Sequence, residues 1–141
     1  MTFFVDANVL VYSAIDSDYT APCADVIAAV AAGEVEGRMS TAVLEEVWHL
    51  ELSGRLGEAA GLALTAYTTF TPLLVITDDT LARALELDAE GLGANDRIHV
   101  ATCLENGIDT IVTADAGFEG VRGLRCIDPL DAQAVSRLLK S

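Results

Sequence analysis

Short apolar runs at Thr2–Val5, Gly37–Ser40, Leu73–Ile76, Thr110–Thr113 and Arg125–Ile127 are separated by segments of helical composition. A strand that reaches the next strand through a helix re-enters the sheet in the same direction. The alternation therefore predicts a parallel sheet of four to five short strands covered by helices on both faces, an α/β three-layer sandwich. The helices carry their own start and stop signals. Asp6 or Asn8 caps a helix over Val9–Ile15, Pro22 sits at the start of one over Ala21–Ala32 that Gly33 stops, and Ser40 or Thr41 caps one that runs to about Leu52. Further helices are expected over Leu56–Phe70, from Thr77 or Asp78 through Leu87, from Asn95 or Asp96 to Glu105, and after Pro129. No repeat or flexible linker interrupts the 141 residues, so residues 1–141 are expected to form one domain.

Composition narrows the class of protein. With 52% hydrophobic residues the chain can fill a core and is far too apolar for intrinsic disorder. No apolar run approaches the roughly 18 residues of a membrane span, and Met1–Asp6 lacks the basic opening of a signal peptide. Cys23, Cys103 and Cys126 are odd in number and form no Cys-x-x-Cys, which fits reduced thiols and a cytoplasmic location. Twenty-two acidic residues against eight Lys and Arg give a net charge of −14. Such a surface repels nucleic acid at long range, so any nucleic-acid chemistry has to be supplied locally. It reads either as an ordinary solvated acidic surface or as adaptation to a salt-rich cytoplasm, where screening removes the self-repulsion.

In parallel α/β sheets, ligands bind beyond the carboxyl ends of the strands, where the strand order reverses. Asp6 follows the first apolar run and Asp115 follows Thr110–Thr113, so both project from one edge if those strands are neighbours. Asp96 stands at a helix N-terminus just ahead of the latter strand, where the helix dipole tolerates its charge. Glu46 is a fourth candidate. At about 100° per residue, it lies in projection between Val43 and Leu50, on the rim of the inward stripe, whereas Glu45 points nearly opposite Val43. An inward carboxylate is costly unless paired or metal-bound, and no cation in that helix offers itself. Converging carboxylates with few cations are relieved by hard divalent ions such as Mg²⁺ or Mn²⁺, which take oxygen ligands. The implied chemistry is metal-assisted phosphodiester hydrolysis.

Four segments together resemble the motifs of PIN-domain ribonucleases, in particular the VapC-type toxins of toxin–antitoxin pairs. They are Val5-Asp6-Ala7-Asn8-Val9-Leu10-Val11-Tyr12, Ser40-Thr41-Ala42-Val43-Leu44-Glu45-Glu46-Val47, Asn95-Asp96-Arg97-Ile98-His99-Val100-Ala101 and Ile111-Val112-Thr113-Ala114-Asp115-Ala116-Gly117-Phe118. The resemblance implies a catalytic, metal-binding set of Asp6, Glu46, Asp96 and Asp115, with Asn8 and Thr113 as polar supports. It also implies a metal-dependent endoribonuclease that cuts single-stranded RNA, usually a homodimer, restrained by a cognate antitoxin. One departure stands out: many relatives carry a further acidic residue where this chain has Gly117. A PIN-like module that binds without cutting is the competing reading.

Other chemistries find no support. Receiver and haloacid-dehalogenase-like domains need a pocket lysine, and the single lysine, Lys140, is in the tail. Neither Gly-x-x-x-x-Gly-Lys nor Gly-x-Gly-x-x-Gly occurs. His49 and His99 read as isolated surface or packing residues rather than ligands, and Trp48 as a core or dimer-interface residue. Arg97 is a candidate phosphate contact, with a helix-surface salt bridge as the alternative.

Overall fold

The computed structural model describes residues 1–57 and 61–140. Strand β1 (Thr2–Val5) leads into α1 (Ala7–Ala14) and α2 (Thr20–Ala31), then β2 (Glu36–Arg38), α3 (Thr41–Leu52), α4 (Leu62–Phe70) and α5 (Asp78–Glu86). The second half comprises α6 (Ala94–Glu105), β3 (Thr110–Val112), a single 3₁₀ turn (Ala116–Phe118), β4 (Arg125–Ile127) and α7 (Ala132–Lys140). The four strands pair in parallel in the order β2-β1-β3-β4. Phe3, Phe4 and Val5 are all fully buried, although successive strand residues face opposite sides. Both faces of the sheet are therefore covered, as the apolar composition of a parallel sheet requires.

From β1 the chain moves first to β2 on one side and later to β3 on the other, so the order reverses at β1. Such a reversal leaves a crevice at the carboxyl ends of the two strands that flank it. Those are β1 and β3, and the expectation that these strands are neighbours holds. The helix starts are fixed by side chains that satisfy free N–H groups. Ser40 accepts from Val43 N at the head of α3, and Thr77 and Thr80 form a reciprocal capping box at α5. On the far side of β1, α3 packs against α1, α4 and α6, which brings Glu46 and the start of α6 together.

Two elements differ from expectation. Leu73–Ile76 is not a strand: only Leu74 pairs, through a single bridge with Ser40. Pro72 has no N–H to continue a ladder, Val75 is exposed, and the α5 capping box begins at Thr77, so the chain has no length in which to add rungs. The helix expected over Leu56–Phe70 begins only at Leu62 among the described residues. Gly57 and Gly61 have positive φ, which ends a right-handed helix. Leu56 lies in the turn before them, and the part of that helix at residues 58–60 lies outside the described residues. Among the described residues no helix is long and apolar enough to cross a membrane. All three cysteines are free, and burial pushes the Cys23 and Cys103 thiols up to about 11 and about 12.

Candidate functional site

Asp6 occupies the turn from β1 into α1 and has three oxygen-directed constraints. Its Oδ1 accepts from Ala7 N at 2.7 Å, capping α1. Its Oδ2 accepts from the Thr113 hydroxyl at 2.8 Å and from Asn8 Nδ2 at 3.2 Å. The Asp6 backbone N–H donates to Val112 O, continuing the β1–β3 pairing one step past the strand. Thr113 is a hub, because its Oγ1 also accepts from Asn8 Nδ2 and from Asp115 N. Asn8 closes the ring by accepting from Ala114 N. Sequence assigned Asn8 and Thr113 supporting roles, and here their side chains tie the ends of β1 and β3 into one rigid edge.

Asp6 is only 5% exposed. Burial raises its pKa, and Glu46's charge adds to that; His99 and the bonds from Thr113 and Ala7 pull the other way without cancelling it. Asp96, in the first turn of α6, is half-buried. Its pKa is also raised by burial, then by the charges of Asp6, Asp115 and Glu46, against an opposing effect of His99. That pattern is the signature of carboxylates that share a site. Asp115 lies exposed at the rim, where its Oδ1 accepts from Gly117 N at 2.8 Å. The glycine departure has a local consequence: a Cβ at position 117 would lie 3.0 Å from Asp115 Oδ1. Residue 117 without a side chain lets the carboxylate fold back onto the backbone N–H.

Glu46 is half-buried and turned toward His99 whereas Glu45 is exposed, as the helix phase required, although both border one open groove. Oε1 of Glu46 lies 3.0 Å from His99 Nε2. His99, expected to be a surface or packing residue, is fully buried: its ring packs against Phe4 and, beyond that expectation, its Nε2 is 3.9 Å from Asp6 Oδ1. The signal was its spacing of three from Asp96, which puts both on one face of a helix. Burial lowers the imidazole pKa, but the bond to Glu46 and the charges of Asp6, Glu46 and Asp96 outweigh this and raise it. Donor atoms of Asp6, Glu46 and His99 lie within 4.8 Å of one another, a spacing able to hold a metal ion. Asp96 and Asp115 stand outside this tight group.

Arg97 makes no salt bridge among the described residues. Its Nε, Nη1 and Nη2 donate to the carbonyls of Leu92, Leu87 and Ala89, clamping the loop that enters α6. Trp48 is 55% exposed and so is not a core residue. His49 is exposed and, with Thr41, Glu45, Glu46, Asn95 and Ile98, lines an open groove of about 540 Å³ beside the carboxylates.

The PIN domain family matches residues 3–124. No curated protein has a matching sequence. Among solved structures, the chain is similar to VapC20 of Mycobacterium tuberculosis, described as a sarcin-ricin loop cleaving toxin. The TM-score is 0.64 and the identity 20%, over 87% of this chain and 98% of that one. A toxin–antitoxin complex from Klebsiella pneumoniae gives a TM-score of 0.63 at 19% identity, over 89% and 96% of the two chains. VapBC2 from Rickettsia felis, bound to a DNA fragment from its promoter, gives 0.62 at 16% identity, over 90% and 98%.

Proposed function

This chain belongs to the PIN domain family, and from that membership and the carboxylates gathered at the β1/β3 edge we propose that it is a metal-dependent endoribonuclease hydrolysing single-stranded RNA. The observation that carries the reading is the convergence of donor atoms of Asp6, Glu46 and His99, from three separate elements, to within 4.8 Å of one another, with Asp96 in the first turn of α6 beside them. Burial, and to a lesser degree the neighbouring carboxylates, raise the cost of charge on Asp6 and Asp96, and a divalent cation is a ligand that offsets it. Asp6, Asp96 and Asp115 would hold Mg²⁺, or Mn²⁺ in its place, with Glu46 completing the site or orienting the attacking water. When bound, the ion lowers the pKa of water and stabilises the departing oxygen of the phosphodiester.

The chain's own contribution is rigidity. Thr113 and Asn8 fix Oδ2 of Asp6 and the backbone around Asp115 while Ala7 N holds Oδ1, so the Asp6 carboxylate is aimed before substrate arrives. The open groove beside Glu46 admits an unpaired strand, whose bases and phosphates are accessible from one side. The toxin–antitoxin character of the structural neighbours supports a toxin restrained by a cognate antitoxin; that it acts in the cytoplasm as a homodimer is part of the same proposal and follows from the family resemblance. The test is cleavage of structured and unstructured RNA by the pure protein with Mg²⁺, Mn²⁺ or EDTA. Cleavage of unstructured RNA that EDTA stops is the expected result. Cleavage indifferent to EDTA would remove the metal, and no cleavage with either ion would leave a binding module.

A further inference from the structure

His99 sits among the carboxylates without being one of them. Its Nε2 faces Glu46 Oε1 at 3.0 Å and Asp6 Oδ1 at 3.9 Å, and its Nδ1 is buried with no hydrogen-bond partner among the described residues. Two roles suit the position of Nε2: ligand to an ion shared with Asp6 and Glu46, or N–H donor to Glu46. The two roles put the ring hydrogen in different places. A ligating Nε2 must be bare, which moves the hydrogen to Nδ1. Histidines that ligate metals almost always pass that second N–H to a carboxylate, a carbonyl or water. Here it would be a buried N–H with no acceptor, among the rarest of defects in folded proteins. With the hydrogen on Nε2, the bond to Glu46 is made. In the neutral ring Nδ1 is then a bare lone pair beside apolar neighbours such as Phe4.

We infer that His99 is a positioning residue rather than a metal ligand: Nε2–H donates to Oε1 of Glu46 and fixes that carboxylate against the pocket. Oε2 of Glu46, which has no hydrogen bond, remains for the ion or its water. The assignment rests on the metal-nuclease reading above and deepens it by making the ion's protein ligands all oxygen. An oxygen set favours Mg²⁺ and Mn²⁺, whereas an imidazole ligand would draw the site toward Zn²⁺ or Ni²⁺.

Calorimetric titration of Mn²⁺ and Zn²⁺ at fixed ionic strength into wild type, His99→Gln and His99→Leu separates the roles. A glutamine amide N–H reaches the place of Nε2–H, and leucine offers no donor. Mn²⁺ affinity should stay within about threefold of wild type in the Gln variant and fall about 10- to 100-fold in the Leu variant, the usual loss when a ligand's orienting partner is removed. In RNA cleavage at saturating metal, kcat should fall in His99→Leu and recover in His99→Gln, with KM little changed. Should the Leu variant not fold, His99→Phe keeps a ring against Phe4 and takes its place. Equal, large losses in Gln and Leu, greatest for Zn²⁺, would make His99 a ligand and overturn the assignment. Unchanged Mn²⁺ affinity in both variants would reduce His99 to packing, which overturns it too. A wild type that binds no Mn²⁺ at all would instead overturn the metal-nuclease reading, and this assignment with it.

Discussion

Replacing Arg97 with leucine separates two roles that the sequence leaves confounded, phosphate contact and loop clamp. In the structure the guanidinium spends three N–H groups on the carbonyls of Leu87, Ala89 and Leu92, at 2.8, 2.9 and 2.9 Å. A hydrogen bond to a charged group contributes about 1.5–3 kcal/mol net, so three give an upper range of roughly 4–9 kcal/mol. Only Ala89 and Leu92 are buried residues, and the Leu87 carbonyl can turn to water. Bonds that share one side chain are also not additive. The expected cost of Arg97→Leu is about 3 kcal/mol. With a urea dependence of about 1–3 kcal/mol per molar, the unfolding midpoint should fall by roughly 1–3 M. Arg97→Lys should recover only part of this, because an ammonium cannot reproduce the planar fork.

Urea unfolding followed by circular dichroism measures the first effect, and RNA cleavage by the residual folded protein measures the second. A clamp predicts lost stability and a lower kcat, because the loop sets where α6 begins and hence where Asp96 stands. A stability loss below about 0.5 kcal/mol, accompanied by a raised KM for RNA, would refute the clamp and restore the phosphate contact.

Asp6→Asn, Asp96→Asn and Asp115→Asn should each abolish cleavage while the metal-free protein stays folded; full activity in any one would remove that residue from the site. Asparagine caps a helix as well as aspartate does, so α1 should survive the first change. The raised pKa of Asp6 means the folded state holds its proton more tightly than the unfolded chain, so this group costs stability as pH rises above 3.8, and Asp6→Asn should flatten that decline in EDTA. Glu46→Gln should cut the cleavage rate severely, whereas Glu45→Gln should change the rate little and stability by no more than about 0.5 kcal/mol; the reverse result would put the helix phase wrong by one residue. Monovalent salt should raise the Tm of wild type and Asp6→Asn alike, but millimolar Mg²⁺ at fixed ionic strength should raise only the wild type. An equal Mg²⁺ response in both would mean that the ion merely screens the surface.

What was legible in the sequence was legible because a backbone period determined it. Phe3-Phe4-Val5 reads as a strand buried on both faces because three consecutive large apolar residues leave no solvent side. Glu46 separates from Glu45 because one step of a helix turns by about 100°. The failures have another origin. Leu73–Ile76 has strand composition, but a strand needs a partner along its whole length, and only Ser40 lies beside it. Arg97 reads as a cation beside Asp96, but its bonds to three carbonyls are invisible in the sequence, because every residue has a carbonyl and no pattern marks those that are used. His99 was discounted because its partner, Glu46, is 53 residues away on another helix. Pairings of that kind are set by helix packing, which local periodicity does not contain.

The chain's charge and its proposed substrate have to be reconciled within the site. A net charge of −14 repels RNA, and the arginines are partly committed to the chain itself. Arg38 donates to Pro72 O, Arg83 faces Glu105 at 3.8 Å, and Arg97 clamps its loop. Proteins that bind nucleic acid through many lysines and arginines gain affinity by releasing condensed counterions, and they lose it steeply with salt. This chain has little of that resource. On the nuclease reading, the positive charge that meets the phosphate is carried by the bound divalent ion, concentrated where the backbone must be cut. The same carboxylates that repel RNA when bare then become the means of attracting one phosphate to one position. On that reading selectivity would follow from the economy of cations: duplex RNA, recognised largely through phosphates and 2′-hydroxyls across a wide surface, would find few cations to match it, while a single strand would need only to thread one phosphate past Glu46.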